Sequence, residues 1–364
     1  MQAVVETRGW LDRVVIDDDR LRADGWAVSI GAGPVDGFTV ASGGRALRIG
    51  ALEMGLPSGD VQAAHPGIDG VAQCRFRFDC VLDRDARAVV GERLLEVRPI
   101  VGGHVGRLMC SVPAPSLPVP PAEFVGPIGG GSVTALAFHF LPLFVDLGGL
   151  SRTARVLDAG CGPGRMAYGL AYYLDARGSY EGFDIVPEWI EWAQREIGGR
   201  RSNFRFDWAG IHNLMYNPRG TVEAAEFEFP QANDSIDFAF LTSVFTHMRW
   251  REVSHYLAEL HRVLQTGGRC FCTWFLLNAE SRSLVEAKRS SRDMRFPLDH
   301  DCFTANAEVP EEAIGFPEPA LAGLIEEHGF RLVSRSYGNW CGRTLITSPT
   351  DLLTYQDVLV LQKV

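Results

Sequence analysis

The first 112 residues alternate apolar and polar side chains with a period of two, and glycines interrupt the alternation. In residues 73–78, for example, Cys74, Phe76 and Phe78 fall on one face of an extended chain. Segments of this kind predict short strands with one buried face, at the spacing of an antiparallel sandwich. We therefore expect an all-β sandwich domain over residues 1–112. Its strands are predicted at residues 13–16, 25–30, 37–40, 46–49, 73–78 and 94–99.

A stretch rich in proline and glycine comes next, SVPAPSLPVPPAEFVGPIGGGS at residues 111–132. Prolines favour extended backbone, and the closing glycines make the chain flexible. This composition predicts a linker over residues 113–132.

Beyond the linker the apolar period lengthens to 3.6, and strand-like segments alternate with helical ones. One helix is predicted near Arg165, and a second begins at Pro187, a residue that suits the first helical position. The alternation is typical of a parallel sheet covered by helices on both faces. We therefore expect an α/β domain over residues 133–364. Its strands are predicted at residues 154–158, 180–184, 204–206, 236–241, 269–274, 331–337 and 357–361.

Composition and charge narrow the class of protein. The chain has 364 residues, 46% of them hydrophobic, and a formal net charge of -10. This length and apolar content suffice for two cores, whereas the negative charge argues against a nucleic acid as partner. The eight cysteines are scattered without the paired spacing of a metal site, so we expect unpaired thiols and no metal.

The sequence also bears on location. The first residues, MQAVVETRGW, lack the basic and apolar regions of a signal peptide. The most apolar stretch, residues 133–147, is too short to span a bilayer and is interrupted by His139, Pro142 and Asp146. We therefore expect a protein of the reducing cytoplasm that does not insert into a membrane. The sequence leaves the oligomeric state open, a homo-oligomer included.

A glycine-rich loop follows the first strand of the α/β domain in the segment VLDAGCGPGR, residues 156–165. Glycines let backbone approach a ligand closely, and the following helix offers unpaired N–H groups. Asp184 ends the second strand, 26 residues after Asp158, where a carboxylate can accept hydrogen bonds from ribose hydroxyls. A glycine turn that only packs strand against helix would leave both acids unexplained.

The same strand, turn and helix serve enzymes that bind NAD, so the spacing has to decide. In those enzymes the third glycine falls three residues after the second, and here that position is Arg165. Gly164 comes one residue early, and Asp158 precedes the first glycine, where it can hold the ammonium of an amino-acid moiety. This spacing favours S-adenosylmethionine as cofactor.

On these motifs, and on DFAFLTSVFTHM and YLAELHRVLQTGGRCFCTWFLLN, the chain resembles the class I S-adenosylmethionine-dependent methyltransferases from about residue 130 to its end. The resemblance implies a Rossmann-like sheet of seven strands, the last antiparallel. The segments YEGFDIVPEWIEWAQ, HNLMYNPRG, YGNWCGR and YQDVLVL are similar to a bacterial subgroup associated with polysaccharide and O-antigen biosynthesis. That narrower likeness implies a glycan or sugar-containing acceptor.

The resemblance also implies roles for individual residues. Asp158 and the loop would hold the methionine portion, Asp184 the ribose, and Ile185 would pack on the adenine. The family often places an Ala-Asp pair near the adenine amino group, whereas this chain has Ala209 and Gly210. Asp207 or the backbone of that pair would have to replace the acid. The loop residues are Gly160, Cys161, Gly162, Gly164 and Arg165, and Thr242 and Ser243 would meet the sulfonium end.

An alcohol that accepts a methyl group must lose its proton, which calls for a nearby base. His247, in the loop after the fourth strand, is the first candidate, although histidines in such loops also cap helices or pack on the cofactor. His212 is a second candidate. His300 lies in a long insertion, residues 278–317, where an acceptor lid is common. Further candidates for the acceptor pocket are Tyr216, Asn217, Trp340 and Arg343, with ordinary core packing the alternative for Trp340.

Three hypotheses for function follow. The first is an O-methyltransferase of a sugar hydroxyl on a bacterial glycan or its precursor. The second has the same fold methylating a small metabolite or natural product. The third is a glycan-binding or assembly protein with a vestigial cofactor site, against which the complete set of loop glycines and flanking acids speaks.

Overall fold

The computed structural model describes residues 4–343 and 354–364. The chain divides into two compact units. One comprises Met1–Val119, Gly131–Asp146 and Met166–Asp175, and the other comprises Pro120–Gly130, Leu147–Arg165 and Ala176–Val364. The boundaries predicted at residues 112 and 132 stay predictions, because this division interleaves the two segments of chain.

The N-terminal segment forms two antiparallel sheets. Its strands are β1 (Thr7–Asp17), β2 (Arg20–Ser29), β3 (Gly37–Ser42), β4 (Arg45–Leu47), β5 (Ile49–Leu56), β6 (Arg75–Val81), β7 (Leu95–Val101), β8 (His104–Val105) and β9 (Met109–Ser111). The first sheet has the order β1-β2-β6-β5, and the second has β4-β3-β7-β8 with β9 also paired to β7. Phe76 and Phe78 on β6 share one core with Phe38 on β3, so alternate residues face inward as the period of two predicted.

The sequence predicts an all-β region here, but the structure also contains two α-helices, α1 (Gly59–Ala64) and α2 (Arg84–Glu92). Asp83 starts α2, since its carboxylate accepts a hydrogen bond of 2.7 Å from the Ala86 N–H. Ala86 and Val90, four residues apart, are buried on one face. The helix is therefore built by a capping residue and a single apolar pair, a signal weaker than the strand pattern around it.

Two helices follow this region in the chain, α3 (Ala122–Val125) and α4 (Val133–Asp146). Asp146 at the end of α4 accepts hydrogen bonds of 2.7 Å from the Arg98 guanidinium and from the Leu108 N–H. In the part of the chain that is described, no single helix is long and apolar enough to cross a membrane. Only the bent pair Ala122–Ile128 and Val133–Asp146 reaches that length and composition together.

The C-terminal part contains the strands β10 to β20. They are β10 (Arg155–Ala159), β11 (Ser179–Asp184), β12 (Phe204–Trp208), β13 (Ile236–Leu241), β14 (Leu264–Trp274), β15 (Leu276–Leu277), β16 (Phe296–Pro297), β17 (Phe303–Thr304), β18 (Ile314–Pro317), β19 (Phe330–Ser336) and β20 (Asp357–Lys363). Among the described residues, seven strands form one sheet in the order β12-β11-β10-β13-β14-β20-β19. The first five run parallel, and β20 is antiparallel to both neighbours. The sheet expected from the resemblance, with an antiparallel last strand, is therefore present.

Helices alternate with these strands: α5 (Arg165–Tyr173), α6 (Pro187–Glu196), α7 (Trp250–Val263), α8 (Ala279–Glu286) and α9 (Glu318–Glu327). Apolar residues at helical spacing form the buried face of α7, where Val253, Leu257 and Leu260 have no exposed surface. These side chains belong to one core with Leu241 and Cys272 of the sheet. The insertion is more ordered than a loop, since β15, β18, β17 and β16 form a small second sheet.

Candidate active site

The glycine-rich loop joins β10 to the start of α5. Gly160, Gly162 and Gly164 have positive φ angles of 85°, 54° and 83°, which side chains with a Cβ rarely adopt. The N–H groups of Gly160 and Cys161 both donate to the Phe183 carbonyl at the end of β11, at 2.9 and 3.0 Å. The loop is thus fixed to the neighbouring strand by backbone bonds.

A second segment approaches the loop closely. A Cβ placed on Gly160 would lie 2.4 Å from Cγ2 of Val244, in the loop after β13. Any residue larger than glycine would therefore have to displace that loop. The close approach brings the carboxyl ends of β10 and β13 together, where ligands of open α/β sheets bind.

The Asp184 carboxylate is held by backbone on both oxygens. Oδ2 accepts a hydrogen bond of 2.8 Å from the Gly162 N–H, and Oδ1 accepts one of 3.0 Å from the Val186 N–H. Burial raises the pKa of Asp184, and these backbone N–H groups oppose that rise. Each carboxylate oxygen retains a second lone pair, so an oriented acid is available to ribose hydroxyls beside the loop.

Asp158, at the end of β10, is almost completely buried at 1% exposure. Its Oδ2 accepts a hydrogen bond of 2.6 Å from the Tyr180 hydroxyl, whereas its Oδ1 has no partner within the described residues. The pKa of Asp158 is raised to about 8, chiefly by burial and also by the charge of Asp184, while the Tyr180 hydrogen bond and the Arg165 charge oppose the rise. A buried carboxylate oxygen without a partner is what the ammonium of S-adenosylmethionine would satisfy, so the site fits this cofactor.

His247 lies in a short 3₁₀ turn, Phe245–His247, after β13. Its Nδ1 is 2.8 Å from the Glu311 carbonyl oxygen in the insertion. Because a carbonyl only accepts, Nδ1 carries the proton and Nε2 of the neutral ring is left as an acceptor. Burial lowers the pKa of His247, so the ring is neutral at pH 7.

Comparison with known proteins agrees with this geometry. Residues 157–272, which contain the loop, both acids and His247, match the family model described as "Methyltransferase domain". Residues 157–272 are a methyltransferase domain, and the protein is an S-adenosylmethionine-dependent methyltransferase.

Solved structures with similarity to this methyltransferase include three described as S-adenosylmethionine-dependent methyltransferases. The protein from Methanosarcina mazei is 23% identical, with 59% of this chain and 94% of that chain covered and a TM-score of 0.40. The protein from Aquifex aeolicus is 16% identical, with 67% and 98% covered and a TM-score of 0.41. The protein from Mesorhizobium loti is 12% identical, with 64% and 100% covered and a TM-score of 0.43.

The residues predicted around the adenine lie at the ends of β11 and β12 in the methyltransferase. Ile185 is half-buried, and the buried Ala209 donates its N–H to the Asp184 carbonyl at 2.8 Å. The Gly210 carbonyl already accepts bonds from Thr221 and Val222. These two bonds occupy both lone pairs of the oxygen, so the Gly210 carbonyl offers no free acceptor in place of the acid.

Trp208, which the sequence did not single out, lies beside these residues. It is 54% exposed, and its indole N–H donates to the Ile185 carbonyl at 3.0 Å. A Cβ on Gly210 would be 3.4 Å from the Trp208 ring, so the aromatic face rests on that glycine. In the alternation of β12, Trp208 has the same parity as the buried Phe204 and Phe206, so the sequence pattern alone predicts a core residue and gives no signal of its exposure.

Other predicted cofactor residues have structural partners. Arg165 donates to the Ile128 carbonyl at 3.3 Å, and burial raises the pKa of the Cys161 thiol far above its usual range. Ser243 has a positive φ of 59°, and its N–H donates to Thr273 Oγ1 at 2.8 Å. Thr242 beside it is half-buried.

The predicted acceptor residues on the loop after β12 differ in their surroundings. His212 is half-buried, and its backbone N–H donates to the Val222 carbonyl at 2.8 Å. The Tyr216 hydroxyl donates to the Pro127 carbonyl at 3.3 Å, and burial followed by the charge of Asp184 raises its pKa. The Asn217 amide donates to the Ile211 carbonyl at 2.8 Å, which closes its own loop. The charge of Asp184 thus acts on the Tyr216 hydroxyl.

Trp340 and Arg343 belong to a buried polar network rather than to an open pocket. Trp340 has no exposed surface, and its indole N–H donates to Asp357 Oδ2 at 2.7 Å. The Arg343 guanidinium pairs with Asp357 at 2.9 Å and with Glu280 at 2.8 Å. For Trp340 the structure thus favours core packing, and for both residues the predicted contact with an acceptor finds no support.

His300 lies on the surface of the insertion. Its ring stacks on Trp250 with centroids 4.9 Å apart and an interplanar angle of 4°, and its Nδ1 is 3.4 Å from Asp299. No group of three His, Cys, Asp or Glu side chains in the described ranges could hold a metal ion. His300 is therefore an exposed residue that stacks on Trp250, and it lies in the same insertion as Glu311, whose carbonyl contacts His247.

Proposed function

We propose that this methyltransferase transfers the methyl group to a sugar hydroxyl of a bacterial glycan or its precursor, with His247 as the general base. The bond from His247 Nδ1 to the Glu311 carbonyl is the observation that supports a base most directly. It fixes the tautomer in which Nε2 can take a proton, and it stabilises the imidazolium that forms.

In this proposal the residues of the chain mainly align donor and acceptor, because in-line displacement needs little covalent machinery. S-adenosylmethionine supplies a methyl group already activated by positive sulfur. Asp158 and the backbone of the glycine-rich loop hold the methionine portion, and Asp184 holds the ribose. His247 Nε2 would accept the proton of the attacking hydroxyl.

The sugar acceptor is supported by the sequence resemblance in HNLMYNPRG and YGNWCGR. Aromatic and planar polar groups near the carboxyl end of the sheet, such as Tyr216, suit a sugar ring. His300 on Trp250 offers a second aromatic surface on the insertion.

Incubation with labelled S-adenosylmethionine and a panel of nucleotide sugars and oligosaccharides tests the acceptor. We expect methyl incorporation into at least one sugar hydroxyl, located by mass spectrometry. Faster turnover of free hydroxy acids or phenols would favour a small-metabolite acceptor instead. Calorimetry that shows no binding of the cofactor would support the vestigial-site alternative.

A further inference from the structure

Tyr180 on β11 forms a buried hydrogen bond with the acid that ends β10. Its hydroxyl donates to Oδ2 of Asp158 at 2.6 Å, and Tyr180 itself has no exposed surface. The Tyr180 ring stacks on Phe204 of β12, with centroids 4.9 Å apart and an interplanar angle of 13°. The hydroxyl is therefore held in place from the neighbouring strand, and it fixes the orientation of the Asp158 carboxylate.

Gly182 leaves the space that this bond needs. In the parallel register Asp158 lies opposite Gly182, two residues after Tyr180. A Cβ on Gly182 would be 2.8 Å from the Tyr180 hydroxyl and 2.9 Å from Cβ of Cys161. Any larger residue would displace either the hydroxyl or the glycine-rich loop, so Tyr180 and Gly182 act as one arrangement.

The second oxygen of Asp158 points to a ligand, because Oδ1 is buried and has no hydrogen-bond partner among the described residues. We propose that Tyr180 is a positioning residue for the cofactor, since its hydroxyl holds Oδ2 and leaves Oδ1 to accept the ammonium of S-adenosylmethionine. This inference rests on the proposed role of Asp158 and is independent of the acceptor. A binding experiment without acceptor can therefore fail while the proposed glycan chemistry stands.

The charged and titratable groups around Asp158 make cofactor affinity depend on pH. Burial and Asp184 raise the pKa of Asp158, whereas the Tyr180 hydroxyl and the Arg165 guanidinium lower it. The buried Cys161 thiol also faces this carboxyl, and its own raised pKa keeps it neutral. Because an ammonium binds the ionised carboxylate, cofactor affinity should increase as the pH rises toward the pKa of Asp158. Loss of the Tyr180 hydroxyl raises that pKa and moves the profile to higher pH.

Calorimetry with two ligands tests the proposal. Tyr180→Phe should weaken S-adenosylhomocysteine about tenfold or more near neutral pH, the effect of losing one hydrogen bond to a charged group. Binding of 5′-methylthioadenosine, which lacks the amino-acid part, should change by less than about twofold, because the nucleoside contacts remain. The affinity profile for S-adenosylhomocysteine should also move to higher pH.

Tyr337→Phe is the matched control, since Tyr337 donates to the Glu318 carboxylate at 2.9 Å beyond β19, at the opposite edge of the sheet. This variant should leave both affinities unchanged. An equal loss for both ligands in Tyr180→Phe, or an unshifted pH profile, would overturn the proposal.

Should Tyr180→Phe fail to fold, the wild-type protein still provides a test. Titration in two buffers with different protonation enthalpies measures the protons released on binding. Near pH 7, S-adenosylhomocysteine should release protons that 5′-methylthioadenosine does not. Equal release by the two ligands would exclude an ionisation of Asp158 coupled to the ammonium.

Discussion

Burial acts on His247 and Asp158 in the same sense, since it favours the neutral form of each. For the imidazole this lowers the pKa and keeps Nε2 ready to accept a proton near pH 7. For the carboxyl it is the main cause of a pKa raised to about 8, so the neutral form prevails near pH 7 until a cation lies against the carboxylate. One physical effect thus prepares a base at one residue and a cation site that responds to its ligand at the other.

Replacement of His247 by alanine should lower kcat about a hundredfold or more, the usual contribution of a general base. The Kd for S-adenosylhomocysteine should stay within about twofold, because cofactor binding is assigned to other residues. Single-turnover assays and calorimetry on the same variant separate the two quantities. His104→Ala, at an exposed residue of β8, is the control and should leave both values unchanged. Normal turnover of His247→Ala at every pH would show that another group is the base.

The pH profile of kcat should reflect the same histidine. Burial lowers the pKa of His247, Arg292 lowers it further, and the Glu311 carbonyl and Glu312 raise it. A base works only when it is deprotonated, so the midpoint of the fall in kcat on the acid side should lie below pH 6.5, the ordinary pKa of histidine. A midpoint above pH 6.5 in the kcat profile of the wild-type protein would contradict this assignment.

Ionisation of Asp158 should lower the free energy of unfolding of the unliganded protein as the pH rises. Its pKa is raised from 3.8 to about 8 on folding, so the folded state binds the proton more tightly than the unfolded state. The contribution of Asp158 to the free energy of unfolding is therefore fully present below pH 3.8 and is lost as the pH rises to about 8. Asp158→Asn, which cannot ionise, should melt about 2–4 °C above the wild type at pH 8, with a smaller difference at pH 5. Thermal melts at both pH values check this, and an unchanged difference would contradict it.

At the scale of elements, every strand of the main sheet was predicted, because a buried parallel strand is a short apolar run between turn residues. The predicted start of β14 was wrong by five residues. Gly267 and Gly268 interrupt its apolar pattern, although the chain stays extended from Leu264. Helix α2 was missed because a capping aspartate and one apolar pair do not stand out among alternating residues.

The candidate site was predictable only where its residues are close in sequence. Both acids and the glycines follow strands directly, so the order of elements places them at one sheet edge. Glu311 is 64 residues from His247, and the Tyr180 bond crosses between two strands. No spacing rule predicts such contacts, since they depend on how strands pair and how the insertion folds back. Burial of Trp340 was equally invisible, because an indole suits both a core and a sugar site.

Gly160→Ala should impair the loop by sterics and by conformation together. The added Cβ meets Val244 Cγ2 at 2.4 Å, and the φ of 85° disfavours alanine, so we expect a loss of about 1–3 kcal/mol in stability. Weaker binding of S-adenosylhomocysteine should accompany it. Gly162→Ala is the matched control, because its φ is also positive while its nearest neighbour is 3.7 Å away. Adding Val244→Ala to Gly160→Ala should restore part of the stability, and no recovery would exclude the steric cause.

At the scale of the whole molecule, composition indicated two cores, and two compact units are present. Helix α4 and residues 166–175 group with the N-terminal sheets, although they follow the proline-rich segment in sequence. The periodicity of the sequence cannot predict which unit a helix belongs to, because it indicates the buried face of the helix and not the core against which that face packs.

Cofactor binding should therefore be visible in the stability of the unit that holds the site. S-adenosylhomocysteine at a hundred times its Kd should stabilise the folded state by about 2.7 kcal/mol through mass action. Calorimetric scans with and without ligand measure this. If the two units melt separately, the melting temperature of the unit with the seven-stranded sheet should rise. NAD at the same concentration is the control, because the loop has Arg165 where a dinucleotide fold requires its third glycine. Equal stabilisation by NAD would contradict the cofactor preference deduced from that spacing, whereas a shift with S-adenosylhomocysteine alone would support it.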